Sequence, residues 1–184
     1  MPPAIKTDRK AIINAVMEII DESGWSAVSA RSVAERLGIS TQPIYREFAD
    51  MDEVRRAAIE RGFEIFTEYI ADGALGQAVK YVEFAAEKGN LFNFLFRGKH
   101  YEYTGLDDLS RKLVSEDIID RLEEITKLPR EKVYRVHLCV WMALHGLAAI
   151  SADNRVAVSG EEIALLAKEM TQGLTALYKT EGAK

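Results

Sequence analysis

Apolar side chains recur at helical spacing from early in the chain, and glycines interrupt them at intervals. Ile13, Val16, Met17 and Ile20 follow the pattern i, i+3, i+4, i+7, which places them on one face of a helix. Gly24 interrupts this pattern at a position where a helix commonly ends. The sequence therefore predicts an amphipathic first helix that ends at Gly24 and buries one face.

The stretch 30–48 predicts two short helices joined by a tight turn. Ser29 is the expected cap of the first helix, because its side-chain oxygen can accept an unpaired N–H of the first turn. Val33 and Leu37 share one face of that helix. Gly38 is expected to stop it, because a left-handed backbone costs glycine least.

The second short helix is expected to have one buried face and one outward face. Ser40 is its expected cap, and Pro43 falls in its first turn, where a missing N–H costs little. Ile44 and Phe48 provide the buried face, which leaves Gln42, Tyr45 and Arg46 on other sides. This layout is that of a helix-turn-helix, whose second helix enters the DNA major groove. A helical corner inside an ordinary core is the alternative.

Helical spacing continues to the end of the chain and predicts an all-α fold. Asp50 with Glu53 forms a capping box before a fourth helix, and Ser159 with Glu162 forms another before the last helix. Pro129 is expected to open the next-to-last helix. Further helices are predicted over 51–71, 74–88, 91–96 and 107–127, with a break at Gly89–Asn90 and a loop over 98–105.

Charge and cysteine content narrow the classes of protein. The chain of 184 residues has a net charge of −5, so we expect modest nonspecific affinity for DNA. Cys139 is its only cysteine, which excludes intrachain disulfides. We find no signal pattern and no apolar run of the roughly 18–20 residues that a membrane span needs, so a cytoplasmic location is expected. The candidate partners of phosphates or bases are Lys6, Arg9, Lys10, Arg31 and Arg46.

The sequence gives no sign of catalysis. His137 and His145 lie two helical turns apart, about 12 Å, so they cannot bind one metal ion without a third element. No Ser-His-Asp order, phosphate-binding loop or acidic metal cluster stands out. We therefore expect no enzymatic activity, no metal and no cofactor.

The C-terminal half contains two strongly apolar helices. The segment 136–150 is apolar nearly all round, and such a helix must be covered on every side. The last helix carries a long apolar stripe from Ile163 to Tyr178. Paired with the same helices of a second copy, the two would form a four-helix interface, so a homodimer is expected. A purely intramolecular core is the alternative.

The run from Arg9 to Val54 resembles the DNA-binding domain of the TetR family of bacterial transcriptional repressors. The match covers about the first third of the chain. A second resemblance, to the C-terminal domain of one TetR subgroup, rests on Trp141, His145, Gly146 and the run 89–96. The motifs that carry the first match, in order and at the family's spacing, are Gly24-Trp25, Ser29, Val33-Ala34, Gly38-Ile39-Ser40, Ile44-Tyr45 and Phe48.

The resemblance implies roles for individual residues. Tyr45 would donate its hydroxyl to a phosphate, and Arg31 would reach DNA from the start of the second helix. At Met51 the family usually has a lysine that contacts phosphate, and here acidic residues surround that position. The other residues expected at the DNA are Lys6, Lys10, Ser40, Thr41, Gln42 and Arg46.

The resemblance also implies an organisation into a DNA-binding domain, residues 1–54, and a helical ligand-binding and dimerisation domain, residues 55–184. We expect a dimeric repressor that a small apolar or aromatic effector releases from a pseudo-palindromic double-stranded DNA operator. The alternatives are an activator, a repressor without effector, and a helical scaffold or small-molecule-binding protein without DNA binding. The candidate walls of the effector site are Tyr81, Phe84, Phe92, Phe96, Tyr103, Trp141 and His145.

Overall fold

The computed structural model describes residues 8–71, 74–98 and 102–181, and this part of the chain is helical without strands. The all-α prediction is confirmed. The helices are α1 (Arg9–Ser23), α2 (Ala30–Leu37), α3 (Gln42–Glu47), α4 (Met51–Tyr69), α5 (Ala74–Glu87), α6 (Gly89–Phe96), α7 (Leu106–Lys112), α8 (Glu116–Thr126), α9 (Arg130–Ala152) and α10 (Gly160–Glu181), with a 3₁₀ turn at Trp25–Ala27.

The chain folds into two compact units. The first comprises Met1–Tyr69 with Glu87–Gly98, and the second comprises Ile70–Ala86 with Lys99–Lys184. Helix α6 therefore belongs in space to the unit that contains the helix-turn-helix, although it follows α5 in sequence. The predicted boundary between residues 54 and 55 separates a DNA-binding domain from a ligand-binding domain by function, and it stays a prediction.

Helix α1 is the centre of the first unit. Ile12, Val16 and Ile20, on its apolar stripe, are fully buried. Helices α2, α3, α4 and α6 all pack against it. Fully burying an aliphatic side chain is worth about 1.5–3 kcal/mol. The stripe that predicts α1 therefore also provides the main hydrophobic contact of the unit.

Local capping fixes the two ends of α1 and the start of α2. The Asp8 side chain accepts a hydrogen bond from the Ala11 N–H at 2.9 Å and caps α1. Gly24 ends the helix with φ of 76°, as predicted. Ser29 caps α2 as predicted, and the side chain of Ser32 accepts the Ser29 N–H in return.

The second unit is built around α9. Its core contains Ile119, Val133 and Val136, each at most 1% exposed. Helices α7, α8 and α10 pack against α9. Helix α5 approaches α10 closely, because a methyl group added at Gly160 would lie 3.1 Å from Val79.

Two predicted helix boundaries are wrong. The stretch 107–127 is not one helix, because Ser115 has an extended backbone and Glu116 and Asp117 then open α8 with acidic residues in its first turn. The break after α5 falls at Lys88, and Gly89–Asn90 form the first turn of α6. The short helix predicted over 91–96 is confirmed as part of α6.

Helix α9 is longer than the apolar segment 136–150 from which a membrane span was excluded. It has 23 residues, and an 18-residue window within it has a mean hydropathy of 1.4, which is that of a possible span by length and composition alone. Core helices of other proteins pass the same test, and α9 packs against three helices of its own unit. The expectation that no segment is long enough to span a membrane is therefore wrong for α9, and 28% of this window is buried within the single chain.

We predict that Gly24→Ala destabilises the protein. An L-residue is strained at φ of 76°, so the free energy of unfolding should fall by about 1–3 kcal/mol. Ser23→Ala, at the neighbouring exposed position, should change it by no more than about 0.5 kcal/mol. Denaturant unfolding of both variants measures the difference, and equal stabilities would contradict the role of Gly24.

Candidate nucleic-acid interface and effector site

Gly38 sets the angle between α2 and α3. Its backbone is left-handed, with φ of 65° and ψ of 33°, as predicted. Its N–H and that of Ile39 donate to carbonyls of the last turn of α2, the latter to Ala34 at 3.0 Å. Val33 and Ile44 are each 1% exposed, so both helices have a buried face. These features are those of the predicted helix-turn-helix.

The opposite side of α3 faces solvent. Tyr45 is 53% exposed, although aromatic side chains usually lie in the interior. Tyr45 and Arg46 follow Gln42 by three and four residues, which places the three side chains on one helical surface. The structure thus brings together five of the predicted DNA-binding residues, all exposed: Ser40, Thr41, Gln42, Tyr45 and Arg46.

The prediction that Ser40 caps α3 is wrong. Thr41 occupies the cap position, and its side chain makes no capping hydrogen bond. Counted from Ser40, Pro43 stands at the third helical position, where its missing N–H removes one of the two donors that the Ser40 side chain could bind. The N–H of Ile44 donates to the Thr41 carbonyl at 3.1 Å.

The basic residues around this face differ in their surroundings. The Arg31 side chain is 87% exposed and pairs with Glu35 at 2.8 Å, which raises the pKa of Arg31. Such surface pairs are weak, so Arg31 can exchange Glu35 for a phosphate. Lys10 is exposed, and Arg46 lies 3.4 Å from Glu47. Lys6 lies outside the described residues.

Arg9, one of the candidate phosphate partners, is engaged within the domain. Its guanidinium donates to the Glu47 carbonyl at 3.1 Å and to Glu53 at 2.8 Å. It also lies 4.2 Å from the centre of the Phe48 ring. Arg9 therefore ties the start of α1 to the segment between α3 and α4, a role that the sequence pattern did not reveal.

The start of α4 is capped by acidic residues. Asp50 accepts the Glu53 N–H at 2.7 Å, so the predicted cap is confirmed. In the predicted capping box the Glu53 side chain would accept the N–H of Asp50. It accepts the N–H of Ala49 instead, at 2.7 Å. The hydrogen bond from Ala49, and then the one from Arg9, lowers the pKa of Glu53. The first turn of α4 thus presents carboxylates, with Met51 at the family's lysine position.

Three of the predicted effector residues meet in the second unit. The Tyr81 hydroxyl lies 2.7 Å from Nδ1 of His145. The indole of Trp141 stacks on the His145 ring, with 4.7 Å between centroids and 19° between planes. Burial raises the pKa of Tyr81, and a hydrogen bond from Trp141 acts in the opposite direction. The Trp and His of the C-terminal motif are therefore joined to α5 by one tyrosine.

The remaining predicted effector residues lie elsewhere. Phe92 and Phe96 belong to the first unit, where Phe96 packs edge-on against Phe63 and Phe66. Phe84 is fully buried. Tyr103 is 40% exposed and lies 5.8 Å from the Lys112 ammonium.

Comparison with known proteins agrees with this geometry. Residues 12–58 match the family model described as bacterial regulatory proteins, tetR family. The chain is 24% identical over 170 residues to the Uncharacterized HTH-type transcriptional regulator YobS of Bacillus subtilis (strain 168), covering 88% of this chain and 84% of that protein. It also resembles the crystal structure of a TetR-like transcriptional regulator from Rhodococcus sp. RHA1, with a TM-score of 0.65 at 18% identity, covering 89% and 92% of the two chains.

The buried faces of α2 and α3, the left-handed turn and the exposed surface of α3 define a helix-turn-helix DNA-binding protein. The family model matches these same residues, so this part of the chain is a DNA-binding domain of the TetR type of transcriptional regulator.

We predict that Glu53→Gln weakens the dependence of stability on pH on the acid side. The folded pKa of Glu53 is lowered, so its contribution is present above the unfolded pKa and is lost as pH falls through the folded value. Wild-type stability should therefore drop more steeply than that of the variant between about pH 5 and pH 3. Denaturant midpoints across this range test the prediction, and parallel curves for the two proteins would contradict it.

Proposed function

We propose that the protein is a homodimeric repressor that leaves a pseudo-palindromic operator when a small apolar or aromatic effector binds. The observation that carries the DNA-binding part is the exposed surface of α3, with Gln42, Tyr45 and Arg46 side by side. The regulator acts in the cytoplasm, and the proposal includes no enzymatic activity.

Residue chemistry supports a division of labour at the operator. Gln42 suits the N6 and N7 edge of adenine, and Arg46 suits guanine or a phosphate. Tyr45, Thr41 and Ser40 carry hydroxyls that suit phosphate oxygens. The surrounding cations that would contact the backbone are Arg31, Lys10 and Lys6. With Met51 in place of a lysine, α4 adds no cation from its first turn.

Two exposed apolar surfaces support a dimer. On α9, Met142 and Ile150 are 52% and 43% exposed, and on α10, Leu166 and Leu177 are 36% and 51% exposed. Isolated apolar residues on a surface need no explanation, but these four lie on two helices that pack against each other. A second copy that covers both helices would form a four-helix interface.

Two glycines lie within these helices. Gly146 falls four residues after Met142, and Gly173 falls four before Leu177. A methyl group at either position would meet nothing within 4 Å among the described residues, so the fold of one chain does not require glycine there. Each costs about 1 kcal/mol relative to alanine in a helix interior. Close approach of a partner helix offers a reason for both.

The effector part rests on the cluster of Tyr81, Trp141 and His145. It combines aromatic faces with a partly buried hydrogen bond, which suits a small aromatic molecule. An effector can release DNA only if it binds the form that does not fit the operator more tightly than the form that does.

The experiment that tests DNA binding is a gel-shift titration with DNA from upstream of the protein's own gene. Wild type should shift a specific fragment at low salt. Gln42→Ala should weaken the free energy of binding to that fragment by about 1–3 kcal/mol. Tyr45→Phe removes one hydrogen bond to phosphate, so it should weaken binding to all DNA sequences by a similar factor. Arg61→Ala, at an exposed ion pair on α4, serves as a control.

Absence of any sequence-dependent shift by a folded wild-type protein would contradict the proposal and favour a helical scaffold or small-molecule-binding protein. An unfolded Tyr45→Phe variant would contradict the assignment of Tyr45 to the surface.

We predict that Leu166→Glu combined with Leu177→Glu dissociates the dimer. Each carboxylate would be buried without a partner at the interface, whereas both positions are exposed in the single chain. Leu174 is left unchanged, because it packs against the core of its own unit. Light scattering gives the mass, and Ile125→Glu, at a 70% exposed position on α8, is the control. A double variant that stays dimeric would refute the interface.

A further inference from the structure

A second histidine of α9 lies where an apolar residue is expected. His137 shares a helical face with Val133, four residues before it, and with Leu144 and Ala148, seven and eleven after it. These three neighbours are 0%, 6% and 0% exposed, so the face is buried. Apolar side chains would fill this face without leaving a polar group to satisfy.

One ring nitrogen of His137 has no hydrogen-bond partner in the part of the chain that the structure describes. This atom, Nδ1, is buried. The residue as a whole keeps partial exposure, so the ring is not sealed in the core. A buried polar atom without a partner loses its hydration without compensation and so destabilises the fold. This cost calls for a functional reason.

His137 belongs to the same strip as the cluster described above. Trp141 follows it by one helical turn and His145 by two, so the three side chains rise along one side of α9. The Tyr81 hydroxyl binds at the far end of this strip, at His145. The strip therefore has a hydrogen-bonded end at Tyr81 and an unsatisfied nitrogen at His137.

The surroundings restrict the charge of a molecule bound there. Burial lowers the pKa of His137 to about 4, so the ring is neutral at pH 7. A neutral imidazole offers no counter-charge, so an ion that bound at this ring would lose its hydration without gaining one from it. The strip therefore favours an uncharged molecule.

We propose that the effector is an uncharged aromatic alcohol or phenol whose hydroxyl binds Nδ1 of His137 while its ring packs along Trp141. This inference rests on the proposed release by a small effector and adds the ligand's chemical class. A hydroxyl both donates and accepts, so it satisfies Nδ1 in either neutral tautomer of the ring.

The test compares 1-naphthol with 1-methylnaphthalene, which replaces the hydroxyl by a methyl group of similar size, in calorimetric titrations of the full chain. Wild type should bind 1-naphthol at least about tenfold more tightly than 1-methylnaphthalene. His137→Leu should bind the two probes with equal affinity, and His137→Asn, which keeps a polar group, should retain a preference. The 1-naphthoate anion should bind wild type most weakly.

Stability without ligand provides a second readout. Because His137→Leu removes an unsatisfied buried nitrogen, its Tm should rise by roughly 2–4 °C. Ile125→Leu, at a 70% exposed site on α8 outside the proposed interface, should leave Tm unchanged. A histidine with a merely structural role would instead give a lower Tm when replaced.

The outcomes separate this inference from the function on which it rests. Equal affinity of wild type for both probes, or a hydroxyl preference that survives in His137→Leu, would overturn the role of His137. Release of operator DNA by 1-methylnaphthalene as well as by 1-naphthol would overturn only the proposed class and leave effector control intact. Binding of neither probe by a wild-type protein that shifts operator DNA would overturn the proposed class and leave DNA binding intact.

Discussion

Burial of one face of α1 is the interaction on which the DNA-binding unit depends. Ile12, Val16 and Ile20 are inaccessible to solvent, and α2, α3, α4 and α6 all pack against their helix. Because α3 uses Ile44 and Phe48 for the buried side, its other side is left to solvent. The position of the DNA-reading surface thus follows from hydrophobic packing on α1.

Polar contacts then fix the details of this unit. Arg9 joins the start of α1 to Glu47 and Glu53, while Arg36 on α2 pairs with Glu18 and Glu22 on α1. Exposed ion pairs add little stability individually, but they restrict the angles between helices that already pack. Several cations near the helix-turn-helix are therefore occupied within the fold. Fewer of the described cations therefore remain for phosphate, and modest nonspecific affinity stays a prediction.

The sequence predicted what depends on neighbouring residues. Gly24, Ser29 and Gly38 follow local rules of helix capping, and the structure confirms each of them. The cap at Ser40 was wrong because the missing N–H of Pro43 changes the first turn of α3. The role of Arg9, the placement of α6 in the first unit and the bond between Tyr81 and His145 depend on residues far apart in sequence, which periodicity cannot reveal.

The most direct test of the account is hydroxyl-radical footprinting of the operator with the full-length protein. A dimer with two exposed α3 surfaces should protect two backbone patches on one face of the duplex, with centres about 34–36 Å or a multiple of one helical turn apart. Addition of the effector should remove both patches together. A single protected patch, patches on opposite faces or the absence of protection would contradict the account.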